Sequence, residues 1–204
     1  MAEVRSIYLG GMNANCYMVT DTESGLSALV DCPADSPEMR GFIGDAKLEY
    51  ILLTHGHFDH IGGVAAIKRV YGAKVVVSRQ DAPMLSSGKL NLGAFMGSPP
   101  EKTDADILVD EGSELLLGST KIKVLSTPGH TKGSVCYLLD DCIFTGDTLF
   151  FCSCGRTDFP GGSSTEMMQS LKRLSALDGS LKAFPGHDRA TTIAFEKSNN
   201  PYMR

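Results

Sequence analysis

The chain has 204 residues, of which 42% are hydrophobic and 21% charged, and a formal net charge of -5. That is ordinary for one globular domain, and the negative balance supplies no basic footprint for nucleic acid or an anionic membrane. No apolar run approaches the ~20 residues of a membrane span, and no basic stretch followed by an apolar segment opens the chain, so neither a span nor a signal peptide is expected.

Residues 17–19 and 28–30 read as strands, the second running into Asp31-Cys32-Pro33. Ser36 and Pro37 are an N-cap and first-turn pair for a helix over 37–46. Residues 50–53 form an apolar run suited to a strand buried on both faces, and it leads into Thr54-His55. Helical spacing of Val64, Ile67, Val70 and Tyr71 predicts a helix over 62–71, stopped by Gly72. A strand at 74–78 follows. Residues 86–103, rich in Gly, Ser and Pro, are expected to form a mobile loop over a site. The second half begins with strands at 107–109, 114–117, 121–125, 135–139 and 142–145, separated by turn residues such as Gly112-Ser113 and Gly118-Ser119. A helix at 164–176, a strand at 182–184 and a closing helix near 192–198 complete the pattern. Strands mixed with helices and no linker favour a single α/β domain over 1–204.

The chemistry lies in Thr54-His55-Gly56-His57-Phe58-Asp59-His60, at a junction between strand and helix. Extended backbone aims His55 and His57 the same way. Three imidazoles and a carboxylate within six residues suit a borderline divalent ion such as zinc. The remaining two histidines, His130 and His187, each follow a strand in a Pro-Gly-His context, so all five histidines stand in chemical positions. Asp147 also follows a strand, in Gly146-Asp147-Thr148. Alone it would read as a turn or cap residue, and its claim rests on its company.

These segments, in this order, resemble the metallo-β-lactamase superfamily over nearly the whole chain. The resemblance implies a four-layer αβ/βα sandwich. It also implies two metal ions, one held by His55, His57 and His130, the other by Asp59, His60 and His187, with Asp147 between them. Zinc is the first expectation, and iron or manganese suits the same donors. Class B β-lactamases often carry Cys at the position of Asp147, so antibiotic hydrolysis is not the expected activity. Gly146-Asp147-Thr148-Leu149-Phe150, Gly155-Arg156-Thr157-Asp158-Phe159-Pro160-Gly161-Gly162, Pro185-Gly186-His187 and the tail from Thr191-Thr192-Ile193 through Asn200-Pro201 are similar to glyoxalase II. Glyoxalase II proper has a helical C-terminal domain that grips glutathione; here the sequence runs only to Arg204, which points to the short single-domain type.

The resemblance thus implies a hydrolase of small-molecule thioesters or esters such as S-lactoylglutathione, working through a hydroxide between two metals, and the lack of an export signal makes the cytoplasm the expected location. Asp59 is the catalytic candidate that orients it. A thiolate leaving group, with a conjugate-acid pKa of about 8.5, departs without a strong general acid. Asp31 is either a partner of a ligand histidine or a turn former. Arg156 either meets an anionic substrate group or pairs with Asp158 to stiffen its loop. Without an export signal the six cysteines read as reduced thiols, Cys152 and Cys154 as packing residues. The alternatives are a persulfide dioxygenase of the same fold with one iron, a lactonase or phosphodiesterase, and a metal-binding protein without catalysis.

Overall fold

The computed structural model describes residues 2–9 and 14–203. Strands β1 (Ala2–Leu9), β2 (Ala14–Asp21), β3 (Leu26–Val30), β4 (Lys47–Leu52), β5 (Lys74–Ser78) and β6 (Ile107–Val109) form a first sheet in that spatial order. Strands β1 to β3 are antiparallel neighbours, whereas β3 to β6 run parallel. The crossovers between parallel strands carry helices α1 (Pro37–Ile43), α2 (Phe58–Ile61) and α3 (Val64–Tyr71). The second sheet is built from β7 (Glu114–Leu117), β8 (Thr120–Ser126), β9 (Val135–Leu138), β10 (Cys142–Gly146), β13 (Lys182–Pro185) and β14 (Thr191–Thr192). A short hairpin of β11 (Leu149–Phe150) and β12 (Ser153–Cys154), and helices α4 (Ser164–Ser175) and α5 (Ile193–Asn199), complete the chain.

Side-chain alternation explains the layering. Ala28, Val30, Leu52 and Val76 of the first sheet meet Ile122, Val124, Val135, Tyr137 and Phe144 of the second in a central core. The alternate residues Leu29, Ile51, Val75 and Val77 face outward and pack against Met39, Ile43, Val64 and Ile67 of α1 and α3. On the other side Leu125, Cys136, Ile143 and Ala183 pack against Met167, Leu171, Leu174 and Ile193 of α4 and α5. Each central strand is buried on both faces, which is why these strands read as continuous apolar runs. The result is the αβ/βα sandwich. No helix of the described residues is long and apolar enough to cross a membrane.

Local chemistry sets the element ends. The Ser36 side chain accepts the Met39 amide and caps α1, with Pro37 in its first turn. That helix stops at Ile43, short of the expected 46, because Gly44 turns at φ 57 and its amide closes on the Arg40 carbonyl. Gly72, at φ 71, ends α3 in the same manner. Strand β1 was not apparent from its sequence: as an edge strand it alternates half-buried and exposed residues, with charges among them.

Candidate metal centre

Five strand ends meet at one edge of the sandwich. From the first sheet, β3 delivers Asp31 and β4 delivers Thr54, His55 and His57, with Asp59 and His60 in the single turn of α2. From the second sheet, the segments after β8, β10 and β13 carry His130, Asp147 and His187. All seven residues expected at the site are brought together. Potential ligand atoms of His55, His57 and His130 lie within 4.8 Å of one another, as do those of His55, His60 and Asp147, and those of Asp59, His60 and His187.

The individual distances describe two adjoining donor groups. His57 Nδ1 stands 2.8 Å from His130 Nε2. His60 Nε2 stands 3.3 Å from His187 Nε2, and His187 Nε2 lies 3.4 Å from Asp59 Oδ2. Asp147 touches both groups: its Oδ1 is 3.4 Å from His60 Nε2, and its Oδ2 is 3.5 Å from His130 Nε2 and 3.6 Å from His187 Nε2.

The surroundings decide which nitrogen of each ring faces the centre. A carboxylate and a carbonyl only accept, so the ring atom beside one must donate. His60 Nδ1 donates to Asp31 Oδ2 at 2.8 Å, leaving its Nε2 to face the centre. His130 Nδ1 donates to the Arg156 carbonyl at 2.7 Å, with the same result. The Thr54 hydroxyl donates to Asp31 Oδ2 at 2.8 Å and therefore accepts from His55 Nδ1 at 3.2 Å. That chain turns His55 Nε2 inward. Asp31, which also accepts the Thr54 amide at 2.9 Å, thus sets the tautomer of one histidine in each group. It sits at φ 57, so the turn-forming and partner readings of this residue hold together.

Among the described residues, two buried side-chain atoms lack any hydrogen-bond partner, and they are His55 Nε2 and Asp147 Oδ1. Both belong to the centre. A buried carboxylate oxygen and an imidazole nitrogen without partners are costly, and divalent cations are what imidazole and carboxylate donors jointly satisfy. The donor set fits such ions.

Electrostatics agree. Burial, reinforced by the nearby His130 and His60, pushes the His57 imidazole down to about 3. Burial and the neighbouring histidines likewise hold His55 well below its ordinary value. For His60 burial opposes the charge, but Asp147, Asp31 and Asp59 outweigh it and raise the group to about 10. Burial works against the Asp59 carboxylate, yet His60 and His187 hold its pKa well below the usual range.

Residues not singled out from the sequence position the ligand loops. Buried Asp81 accepts the Gly56 amide at 3.1 Å, the Thr131 hydroxyl at 2.7 Å and the Gly133 amide at 2.9 Å, tying the loop of His55 and His57 to that of His130. Asn15 donates to the Pro185 and Asp188 carbonyls, and Tyr17 to that of Pro185, fixing the turn that carries His187. Glu196 of α5, fully buried, accepts the Cys152 amide at 2.9 Å and holds the β11–β12 hairpin. That contact supplies a physical reason for the distinctive tail.

A cavity of about 770 Å³ opens over the centre, with His57, Asp59, His130, Asp147 and His187 in its floor and Leu92, Phe95 and Met96 from the 86–103 segment in its wall. Arg156 also lines it, but its guanidinium is closed on Asp158 by two hydrogen bonds of 2.7 Å and lies 4.0 Å over the Phe159 ring. The loop-stiffening pair is therefore formed. Cys154 faces the same cavity, with its thiol pKa raised by burial.

Fold and centre together define a class: a two-sheet α/β sandwich that gathers imidazoles and carboxylates for divalent metal at its strand ends. The chain belongs to the metallo-beta-lactamase superfamily, whose family model matches residues 9–187. It is 34% identical to a hydroxyacylglutathione hydrolase of Rhodopseudomonas palustris over 91% of this chain and 67% of that protein. Among solved structures it resembles the BLEG-1 B3 metallo-beta-lactamase, with a TM-score of 0.92, 31% identity and coverage of 98% and 99% of the two chains. It also resembles TTHA1623 in a di-iron-bound form, with a TM-score of 0.86, 32% identity and coverage of 97% and 99%. ETHE1 from Myxococcus xanthus gives 0.82 at 31% identity, covering 98% of this chain and 83% of that one.

Proposed function

We propose that residues 1–204 form a cytoplasmic two-metal hydrolase of small-molecule thioesters, of glyoxalase II type, for which S-lactoylglutathione is the probe substrate. The carrying observation is the completeness of both donor groups, joined by Asp147, which touches His60, His130 and His187. The resemblance to a hydroxyacylglutathione hydrolase supports the thioester chemistry. Zinc, iron and manganese all suit these donors, and a related structure holds two irons.

Divalent ions in such a centre lower the pKa of water to about 7 and polarise a carbonyl oxygen. His55, His57 and His130 would hold one, and Asp59, His60 and His187 the other. The protein's own part is preorganisation. Asp31, Thr54 and the Arg156 carbonyl fix which nitrogen of three rings faces the centre, so only the Nε2 proton of His60 would leave on cation binding and no ring would need to turn. Asp59, half-buried and at the cavity floor, would orient the attacking water. The leaving thiolate requires no general acid, which agrees with a cavity whose described lining histidines, His57, His130 and His187, all belong to the donor groups.

The test is metal content together with turnover. Close to two metals per chain, hydrolysis of S-lactoylglutathione without oxygen uptake, and loss of turnover in folded His57→Ala are expected. One iron per chain and oxygen consumption on glutathione persulfide would establish the dioxygenase instead. Nitrocefin is the natural control, given the likeness to a B3 lactamase.

A further inference from the structure

The cavity above the centre has walls whose chemistry the hydrolase reading leaves unexplained. Phe58, Leu92, Phe95, Met96, Phe150 and Phe159 line it, and Arg156 is the single Lys or Arg among its described lining residues. The Arg156–Asp158 pair is neutral as a unit and exposed to solvent. A carrier with two carboxylates, such as glutathione, would find no unpaired lysine or arginine among the described lining residues.

Phe95 is 70% exposed and Met96 55% exposed. Contiguous exposed apolar side chains at the mouth of a cavity mark a binding surface. Their placement is built rather than incidental. The Phe58 amide donates to the Asn91 carbonyl at 2.9 Å, which ties this segment directly to the metal motif. The Asn91 side chain donates to the Met84 carbonyl and accepts the Gly93 amide, both at 2.9 Å. Leu92 adopts φ 67, and its carbonyl accepts the amides of both Phe95 and Met96. A non-glycine residue in the left-handed region costs conformational energy, here spent on holding an apolar ledge over the centre.

We infer that the preferred substrate carries an apolar arm, an acyl chain or a hydrophobic thiol, seated between Phe95–Met96 and Phe150–Phe159, and that Phe95 and Met96 determine specificity. This rests on the hydrolase reading and narrows it. Lactoyl, short and hydroxylated, leaves most of this wall uncovered.

The experiment compares N-acetylcysteamine thioesters of acetate, butyrate, hexanoate and octanoate. A second arm compares acetyl thioesters of ethanethiol and hexanethiol, to locate the apolar arm on the acyl or the thiol side. A fully buried methylene is worth about fourfold, so hexanoyl exceeds acetyl in kcat/KM by about tenfold or more even at half of full burial. Phe95→Ser, at an exposed position that folding tolerates, flattens the dependence on chain length. A flat or falling series in both arms, with measurable turnover, overturns the inference and leaves the hydrolase intact. Should no thioester be hydrolysed, the hydrolase reading fails. Calorimetry with the non-hydrolysable N-acetyl-S-methylcysteamine and N-acetyl-S-hexylcysteamine then decides the inference separately. Tighter hexyl binding that Phe95→Ser removes upholds it; equal binding overturns it.

Discussion

Replacing Asp31 by Asn tests how the centre is organised. The side chain, 3% exposed, accepts from the Thr54 amide, the Thr54 hydroxyl and His60 Nδ1 at 2.8 to 2.9 Å. Asparagine keeps the shape and tolerates the positive φ, but offers one acceptor oxygen. With that oxygen toward His60 and the Thr54 hydroxyl, its amide meets the Thr54 N–H, donor against donor. Flipped, it donates to His60 Nδ1, and the ring must then carry its proton on Nε2, where no ligand lone pair remains. In either orientation a buried donor is stranded, at about 1–3 kcal/mol. For a domain of this size that lowers the melting temperature of the chelator-treated protein by about 2–12 °C. Loss of such a supporting contact costs about 10–100-fold in metal affinity, or ~1.4–2.7 kcal/mol. It should fall chiefly on the group containing His60. Competition titration against a chromophoric chelator reads the affinity, and differential scanning calorimetry the stability. An Asp31→Asn protein with two ions at wild-type affinity and an unshifted metal-free transition would refute the tautomer argument.

Gly186→Ala places a Cβ in collision with Asp147 Oδ1 and 2.7 Å from His60 Cε1, so it should fold, bind fewer than two metals per chain and lose at least tenfold in activity; metal counting with circular dichroism checks this. In metal-free protein the His57 pKa near 3 means that the folded state refuses a proton the unfolded chain accepts below about 6.5. Stability should therefore fall as pH drops from 6.5 toward 4.5, and His57→Gln should flatten that limb of the melting profile. The raised His60 value acts in the opposite sense and in another window: its contribution is complete below about 6.5 and is lost as pH rises toward 10. A metal-free profile without a maximum near pH 6.5 would contradict both shifts.

The donors of the centre were legible because their chemistry is written in residue type: all five histidines lie in the segments that follow strands, and each was found within the cluster. Buried strands were legible because both their faces are apolar. Asp31 was only half legible, since a turn and a histidine partner predict the same residue; the His60 contact that joins the two readings spans 29 positions. Asp81 gave no signal. In Gln80-Asp81-Ala82-Pro83 it looks like a turn, and its part in bridging Gly56 to Thr131 and Gly133 exists only in three dimensions. The exposed ledge of Phe95 and Met96 was hidden for a related reason, because a loop rich in Gly and Pro says little about what its apolar residues face.

The strand ends that supply this centre come from opposite leaves of the sandwich: His55, His57, Asp59 and His60 from one, His130, Asp147 and His187 from the other. Each donor group draws on both leaves, so a cation gripped there acts as a rivet through the open rim of the molecule. Damage to the interlayer packing at a remote position such as Phe144 would reach the rim as weakened grip, and a firmly seated cation would in turn resist parting of the leaves.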